Sequence, residues 1–234
     1  MSQQKFLKKQ AIKIGWNTMK KNFWFFVGLI LFILAVSYIP ALIFNAFDKV
    51  ELPTIVTVFF FIMGIVFWVI QLVISIGLIH IALKFTNNAK SVFADLFGKA
   101  NKIVDYFLST LLYSLIVASG YILLFVLSRF NLISGLADSV GFILVIVFGI
   151  IFATRLQFYQ YYIVDKDKSP IKALKASWAA TNGSVWNLIL FWLLMMLINL
   201  AGALALGIGL FLTIPTTMIA MAFVYKKLSS TKNV

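Results

Sequence analysis

Charged residues fall in clusters along the chain and leave long stretches with none. Asn22–Phe47 runs 26 residues without a charge, Leu52–Ile79 runs 28, Tyr106–Ser128 runs 23 and Ser139–Thr154 runs 16, the last extended by an aromatic-rich tail to Val164. Ala176–Tyr225 runs 50. About 20 apolar residues carry a helix across the hydrocarbon core of a bilayer. The last run therefore holds two spans, divided near Gly202, Gly207 and Gly209, where glycine favours a turn. The pattern predicts an all-α integral membrane chain with six transmembrane helices, at 22–47, 54–83, 104–128, 139–163, 184–205 and 208–226. A closed barrel does not fit, because the runs are continuous rather than alternating with period two. The first 21 residues are not expected to be a cleaved signal. They carry six Lys, no small-residue cleavage site follows, and the next apolar run exceeds a signal core of about 7–15 residues.

Composition agrees with a bilayer. The chain has 234 residues, 62% of them hydrophobic, with a mean hydropathy of +1.02 and a net charge of +13. Soluble domains are about 25% charged; at 12% charged this chain cannot cover a water-facing surface. Disorder is excluded by the same apolarity. Of the 20 basic residues, 18 lie on one side of the expected spans: the N-terminal tail, Lys84 to Lys102, Arg155 to Lys175, and Lys226 to Lys232. Only Lys49 and Arg129 lie on the other. With Asp95, Asp105, Asp165 and Asp167 on the first side and Asp48, Glu51 and Asp138 on the second, the two faces carry +14 and −1. The positive-inside rule then places both termini in the cytoplasm. Anionic lipid headgroups at the cytoplasmic face, and other membrane proteins, are the expected partners; nucleic acid is not.

The whole chain, 1–234, reads as one membrane domain with an internal repeat. Ala11-Ile-Lys-Ile-Gly-Trp16 returns as Ala173-Leu-Lys-Ala-Ser-Trp178, and Trp24 matches Trp186 at the same offset of 162. Half that offset carries Ile12, Trp16, Met19 and Phe23 onto Phe93, Phe97, Ala100 and Val104; the full offset carries them onto Leu174, Trp178, Thr181 and Val185. Each set follows i, i+4, i+7, i+11, one face of a helix. The expected units are 5–85, 91–165 and 169–228, each an amphipathic interfacial helix followed by a transmembrane hairpin. Such helices lie in the interface with the apolar face down and Lys toward anionic headgroups.

A family likeness enters through the C-terminal half. Arg155-Leu-Gln-Phe-Tyr-Gln-Tyr-Tyr-Ile-Val-Asp165-Lys is followed by Ser169-Pro-Ile-Lys-Ala-Leu-Lys-Ala-Ser177-Trp, Gly183-Ser-Val-Trp186, Leu212-Thr-Ile-Pro215 and Val224-Tyr-Lys226. This resembles uncharacterised prokaryotic six-helix proteins related to the membrane domain of glycerophosphoryl diester phosphodiesterases, best over 155–228 and more loosely over Asp95-Leu-Phe-Gly98 to Tyr106. The resemblance implies the architecture, not a reaction. Relatives often carry a Pro-Gly pair where the fourth span begins; Ser128–Ser139 has no such pair, which predicts a longer and more polar loop. The phosphodiesterase reaction needs several acids plus His at a metal, in a separate soluble barrel that is not expected here. One His and seven scattered acids do not supply that site.

Candidate polar residues are few. With no Cys and only His80, neither thiol chemistry nor a multi-His metal site is expected, and no cofactor is. Arg155 is either deep in the fourth span, partnered by Asp105 or a water-filled cavity, or at a span end, snorkelling beside a belt of Phe158, Tyr159, Tyr161 and Tyr162. His80 and Lys84 share one helix face near a span end, as a proton-sensitive pair or an ordinary interfacial one. Asp165 and Asp167 precede Ser169, a candidate helix cap, with Pro170 at the first helical position. Gln71, Asn187 and Asn199 either bond between helices or line a path, and Pro215 is expected to kink the last span. No phosphate-binding loop, zinc-protease motif or nucleophile elbow occurs.

The expectation is a multi-pass protein of the cytoplasmic membrane, not an enzyme: a scaffold or a lipid- or envelope-associated accessory protein. The alternative is a transporter or exporter of a hydrophobic or amphipathic substrate. Because the chain lacks cysteine, orientation is directly testable. A single cysteine at Lys49 should react with a membrane-impermeant maleimide on intact cells and one at Lys172 should not; the reverse pattern overturns the assignment.

Overall fold

A long apolar stretch that meets no water must satisfy its own backbone hydrogen bonds, and the helix does so within one segment. The computed structural model describes residues 6–47, 53–130, 132 and 136–230, with nothing said of the side chains of 136–138. Lys5, Asp48, Lys49, Glu51, Lys232 and the Asp138 side chain, all used in the charge count, lie outside it, as do residues 131 and 133–135 of the expected polar loop. The described residues form nine α-helices and no strand: α1 Lys8–Lys21, α2 Phe23–Phe47, α3 Thr54–Thr86, α4 Ile103–Arg129, α5 Leu136–Leu156, α6 Tyr159–Lys166, α7 Pro170–Thr181, α8 Val185–Leu204 and α9 Leu210–Ser230. Five stretches are long and apolar enough to cross a membrane: Phe23–Phe47, Thr54–Thr86, Phe93–Arg129, Ser139–Lys166 and Val185–Leu204. The sixth apolar run is also helical, as α9, but is not among them. Thr213, Pro215, Thr216, Thr217 and the terminal Lys226 and Lys227 dilute it.

Two segments differ from expectation. The second copy of the repeated stripe was expected to be an amphipathic helix. It is two short 3-10 turns, Phe93–Leu96 and Ala100–Lys102. The cause is local. The Asp95 carboxylate accepts from the Lys84 ammonium at 2.7 Å, the Ser91 hydroxyl at 2.6 Å and the Val92 N–H at 2.8 Å. That pins the turn to α3 and to its own entry. The fourth span is also broken, with α5 ending at Leu156 and α6 starting at Tyr159.

The chain folds as two compact units. The first comprises Lys9–Ile103 and Leu197–Phe223. Its core gathers Met19 from α1, Phe26 and Leu29 from α2, Ile81 and Phe85 from α3, Leu96, and Ile219 from α9. Small residues bring backbones together here. A side chain at Gly15 would strike the Thr216 carbonyl of α9, and one at Gly77 would strike the backbone of Leu96. Two of the polar residues bond between helices: Gln71 to Ser37 at 2.9 Å and Asn199 to Thr217 at 3.3 Å. Asn187, in the other unit, is half-buried. The α8–α9 turn takes left-handed backbone at Leu206 and Gly207, and Gly202 lies against Gly209.

The second unit comprises Met1–Lys8, Val104–Met196 and Val224–Val234. The aromatic run at 158–162, expected as an interfacial belt if Arg155 snorkels, is not on its surface. Phe158, Tyr159, Tyr161 and Tyr162 are buried and form its core with Tyr225. Tyr161 stacks on Tyr225 at 5.1 Å and Tyr113 on Tyr159 at 5.1 Å. Two of the phenols find partners inside: Tyr159 donates to Thr110 at 2.9 Å, and Tyr225 to Asp165 at 2.9 Å, while the buried Tyr162 hydroxyl has none among the described residues. Lys226 closes on the other Asp165 oxygen at 2.7 Å, tying α6 to the end of α9.

Gly77→Val is expected to lower the thermal midpoint of the purified protein, since overpacking costs about 1–3 kcal/mol. Gly64→Ala, where nothing lies within 4 Å, should leave the midpoint unchanged or raise it. Equal behaviour of the two variants counts against the close approach.

Candidate functional site

Breaking a helix frees backbone groups that need partners. At the α5–α6 break those partners come from α7. The Ser177 hydroxyl donates to the Arg155 carbonyl at 2.9 Å and accepts the Phe158 N–H at 3.1 Å. The Thr181 hydroxyl lies 3.1 Å from the same carbonyl and 2.9 Å from the Ser177 carbonyl. Gln157 turns its amide back onto the Thr154 carbonyl at 2.9 Å. Both α7 hydroxyls are fully buried, so they stitch the break where water does not reach it.

Arg155 sits one residue from this helix end. It makes no ion pair with Asp105, the partner expected for a deep arginine. Its guanidinium carbon lies 3.7 Å from the centroid of the Trp178 ring, and Nη2 points at the Trp178 carbonyl at 3.4 Å. Nε is shut away from solvent without a hydrogen-bond partner. Phe152 packs on the other part of the stack, 5.1 Å from Trp178. A half-buried cation–π contact of this kind is worth about 1–2 kcal/mol. The partner of Arg155 is therefore an aromatic ring on the amphipathic segment, four residues beyond Leu174.

Beside this stack runs an apolar groove of about 450 Å³. Leu112 and Ile116 of α4, Phe152 and Leu156 of α5, and Ile171, Leu174, Lys175 and Trp178 of α7 line it. The α7 residues follow i, i+3, i+4, i+7, so one helix face forms a wall. A second hollow of about 330 Å³, lined by Leu108, Leu111, Leu112, Ser169, Pro170 and Ile171, shares Leu112 and Ile171 with the first. Pro170 does open α7, with Ser169 in the cap position, but the serine hydroxyl makes no cap bond.

The other sequence candidates lie elsewhere. His80 and Lys84 face the 91–98 segment in the first unit: Lys84 pairs with Asp95, and the His80 ring edge lies against Gly98. Sequence reasoning missed Asp95 as the partner; the readable signal was its place three residues after Val92, the spacing that returns a carboxylate to its own backbone. The repeated stripe is divided. Met19 and Leu174 are buried, Ile12, Phe23 and Trp178 are half-buried, and Trp16, Phe93 and Phe97 are exposed. The positions that α1 and α7 both bury are Ala11, Gly15 and Met19 in α1, and Ala173, Ser177 and Thr181 in α7, a face of mostly small residues that shares Met19 and Thr181 with the stripe. These are the same positions at the offset of 162.

No family model matches the chain, and no solved structure matches it significantly. Over 90 residues it is 31% identical to uncharacterised proteins of Mycobacterium bovis and Mycobacterium tuberculosis. The aligned stretch is 38% of this chain and 28% of each relative. The chain thus spans little more than a quarter of the length of the curated relatives it matches.

Ser177→Ala should destabilise the protein by about 1–3 kcal/mol, because it strands the Phe158 N–H. Thermal unfolding in detergent measures this; a midpoint equal to wild type means the stitch contributes nothing.

Proposed function

We propose that the chain is a non-catalytic cytoplasmic-membrane protein, a scaffold or a lipid- or envelope-associated accessory protein, held at the cytoplasmic face by the interfacial helices α1 and α7. The observation that carries this is the two-sided character of α1 and α7. Each turns a small-residue face inward and leaves lysines beside a bulky apolar side chain outward: Lys13, Lys20 and Trp16 in α1, and Lys172, Lys175 and Ile171 in α7. A helix with that outer face lies in the headgroup layer, and each Lys near an anionic surface adds about 1 kcal/mol of attraction. The six-span, both-termini-inside reading belongs to the same proposal, with α9 as the sixth span. So do the three repeats. In support of them, α1 packs on α9, the 93–98 segment on α3, and α7 on α5. Each opening segment lies on the second long helix of the repeat before it, the first on the last.

The likeness to the membrane domain of glycerophosphoryl diester phosphodiesterases is consistent with an accessory role and supplies no reaction. The transporter alternative draws on the groove beside α7, and a flux assay in proteoliposomes distinguishes it.

Spin labels on single cysteines at Ile171 and Lys172 of the reconstituted full chain test the interfacial placement. The label at 171 should be shielded from a water-soluble relaxation agent and accessible to oxygen, with the opposite pattern at 172. Both labels fully water-accessible at every anionic-lipid fraction would sink the reading.

A further inference from the structure

We propose that the groove between α7 and the α4–α5 pair is a binding site for a single anionic lipid. One acyl chain would lie along α4 and the headgroup would meet Lys175. The inference rests on the interfacial placement of α7.

Shape and lining argue for a chain. The 450 Å³ groove falls within the range of small-ligand sites. Its continuation past Leu112 and Ile171 extends along α4 from Leu108 to Ile116. Eight helical steps of 1.5 Å give about 12 Å of trough. Every side chain along it is apolar except Lys175 and the Ser169 hydroxyl at the far end. An elongated trough of Leu, Ile, Phe and Trp suits a flexible hydrocarbon chain and offers a polar metabolite almost nothing to bond.

Charge argues for an anion. Lys175 is exposed on its outer side while it lines the groove. Arg155 adds a second positive charge behind the Trp178 end wall. No carboxylate lines either hollow among the described residues. The acid nearest in sequence to the start of α7 with a described pairing, Asp165, is bound by Lys226 and Tyr225. A free inorganic anion would gain the lysine but leave the trough empty. A zwitterionic lipid would fill the trough but bring its own cation to Lys175.

The test uses the full chain in nanodiscs of phosphatidylcholine containing traces of photoactivatable lipid. The probe is phosphatidylglycerol or phosphatidylcholine with a diazirine in the acyl chain, and crosslinks are mapped by peptide. Phosphatidylglycerol should label 108–116 and 171–178 above all other segments, and phosphatidylcholine should do so much less. Lys175→Gln should cut that labelling roughly tenfold, the worth of one charge-assisted hydrogen bond. Lys172→Gln, exposed and outside the lining, should leave it intact. Ile116→Trp, which fills the trough, should abolish labelling by both probes. Labelling spread evenly over the long helices overturns the site and leaves the membrane placement standing. Equal labelling of the groove by both probes overturns the anionic preference. No lipid labelling on any long helix removes the placement itself.

Discussion

Between helices surrounded by hydrocarbon, burying one more leucine gains little, and close backbone contact becomes the main source of cohesion. This chain places such contact at three points. Gly15 admits the Thr216 carbonyl, Gly77 admits the backbone of Leu96, and Ser177 reaches the Arg155 carbonyl with a hydrogen bond. In each case a short polar or amphipathic segment is pressed onto a long apolar helix, and the small side chain fixes how near it comes. The core phenylalanines and the buried tyrosines pack around distances that these positions set.

Two of these contacts, at Gly15 and Ser177, fall on positions that correspond at the offset of 162. The positions shared by α1 and α7 at the offset of 162 are Ala11 with Ala173, Gly15 with Ser177 and Met19 with Thr181. All six are buried. Where a glycine leaves room for a carbonyl, a serine can occupy that room only by bonding to one. The third copy exploits this difference: its hydroxyls hold open a helix break, and the break brings Arg155 over Trp178 and sets the groove wall. The apolar groove and the stitched break therefore both depend on the hydroxyls of this shared face.

The long helices were legible from the uncharged runs and the glycines near 202–209: α2, α4 and α8 begin and end within a residue of the expected spans 22–47, 104–128 and 184–205. What stayed hidden depended on partners distant in sequence. Nothing near Leu156 announces a break, since the hydroxyls that accommodate it lie at 177 and 181. The tyrosines at 159–162 have the composition of an interfacial belt and become core because α6 turns them toward Thr110 and Tyr225. Phe93 and Phe97 satisfy helical spacing, yet Asp95 draws the local backbone into a 3-10 turn. Arg155 and Trp178 were each visible as unusual residues, and only the fold joins them.

The contact between Gly15 and Thr216 joins residues about 200 positions apart. A ribosome releases α1 long before it has made α9. During that interval the small-residue face of α1 has no partner, and the helix must rest somewhere that tolerates both its lysines and Trp16. The surface of the bilayer is such a place. On the interfacial placement proposed above, the amphipathic outer face would hold the opening segment at the bilayer surface until the final helix arrives to receive it.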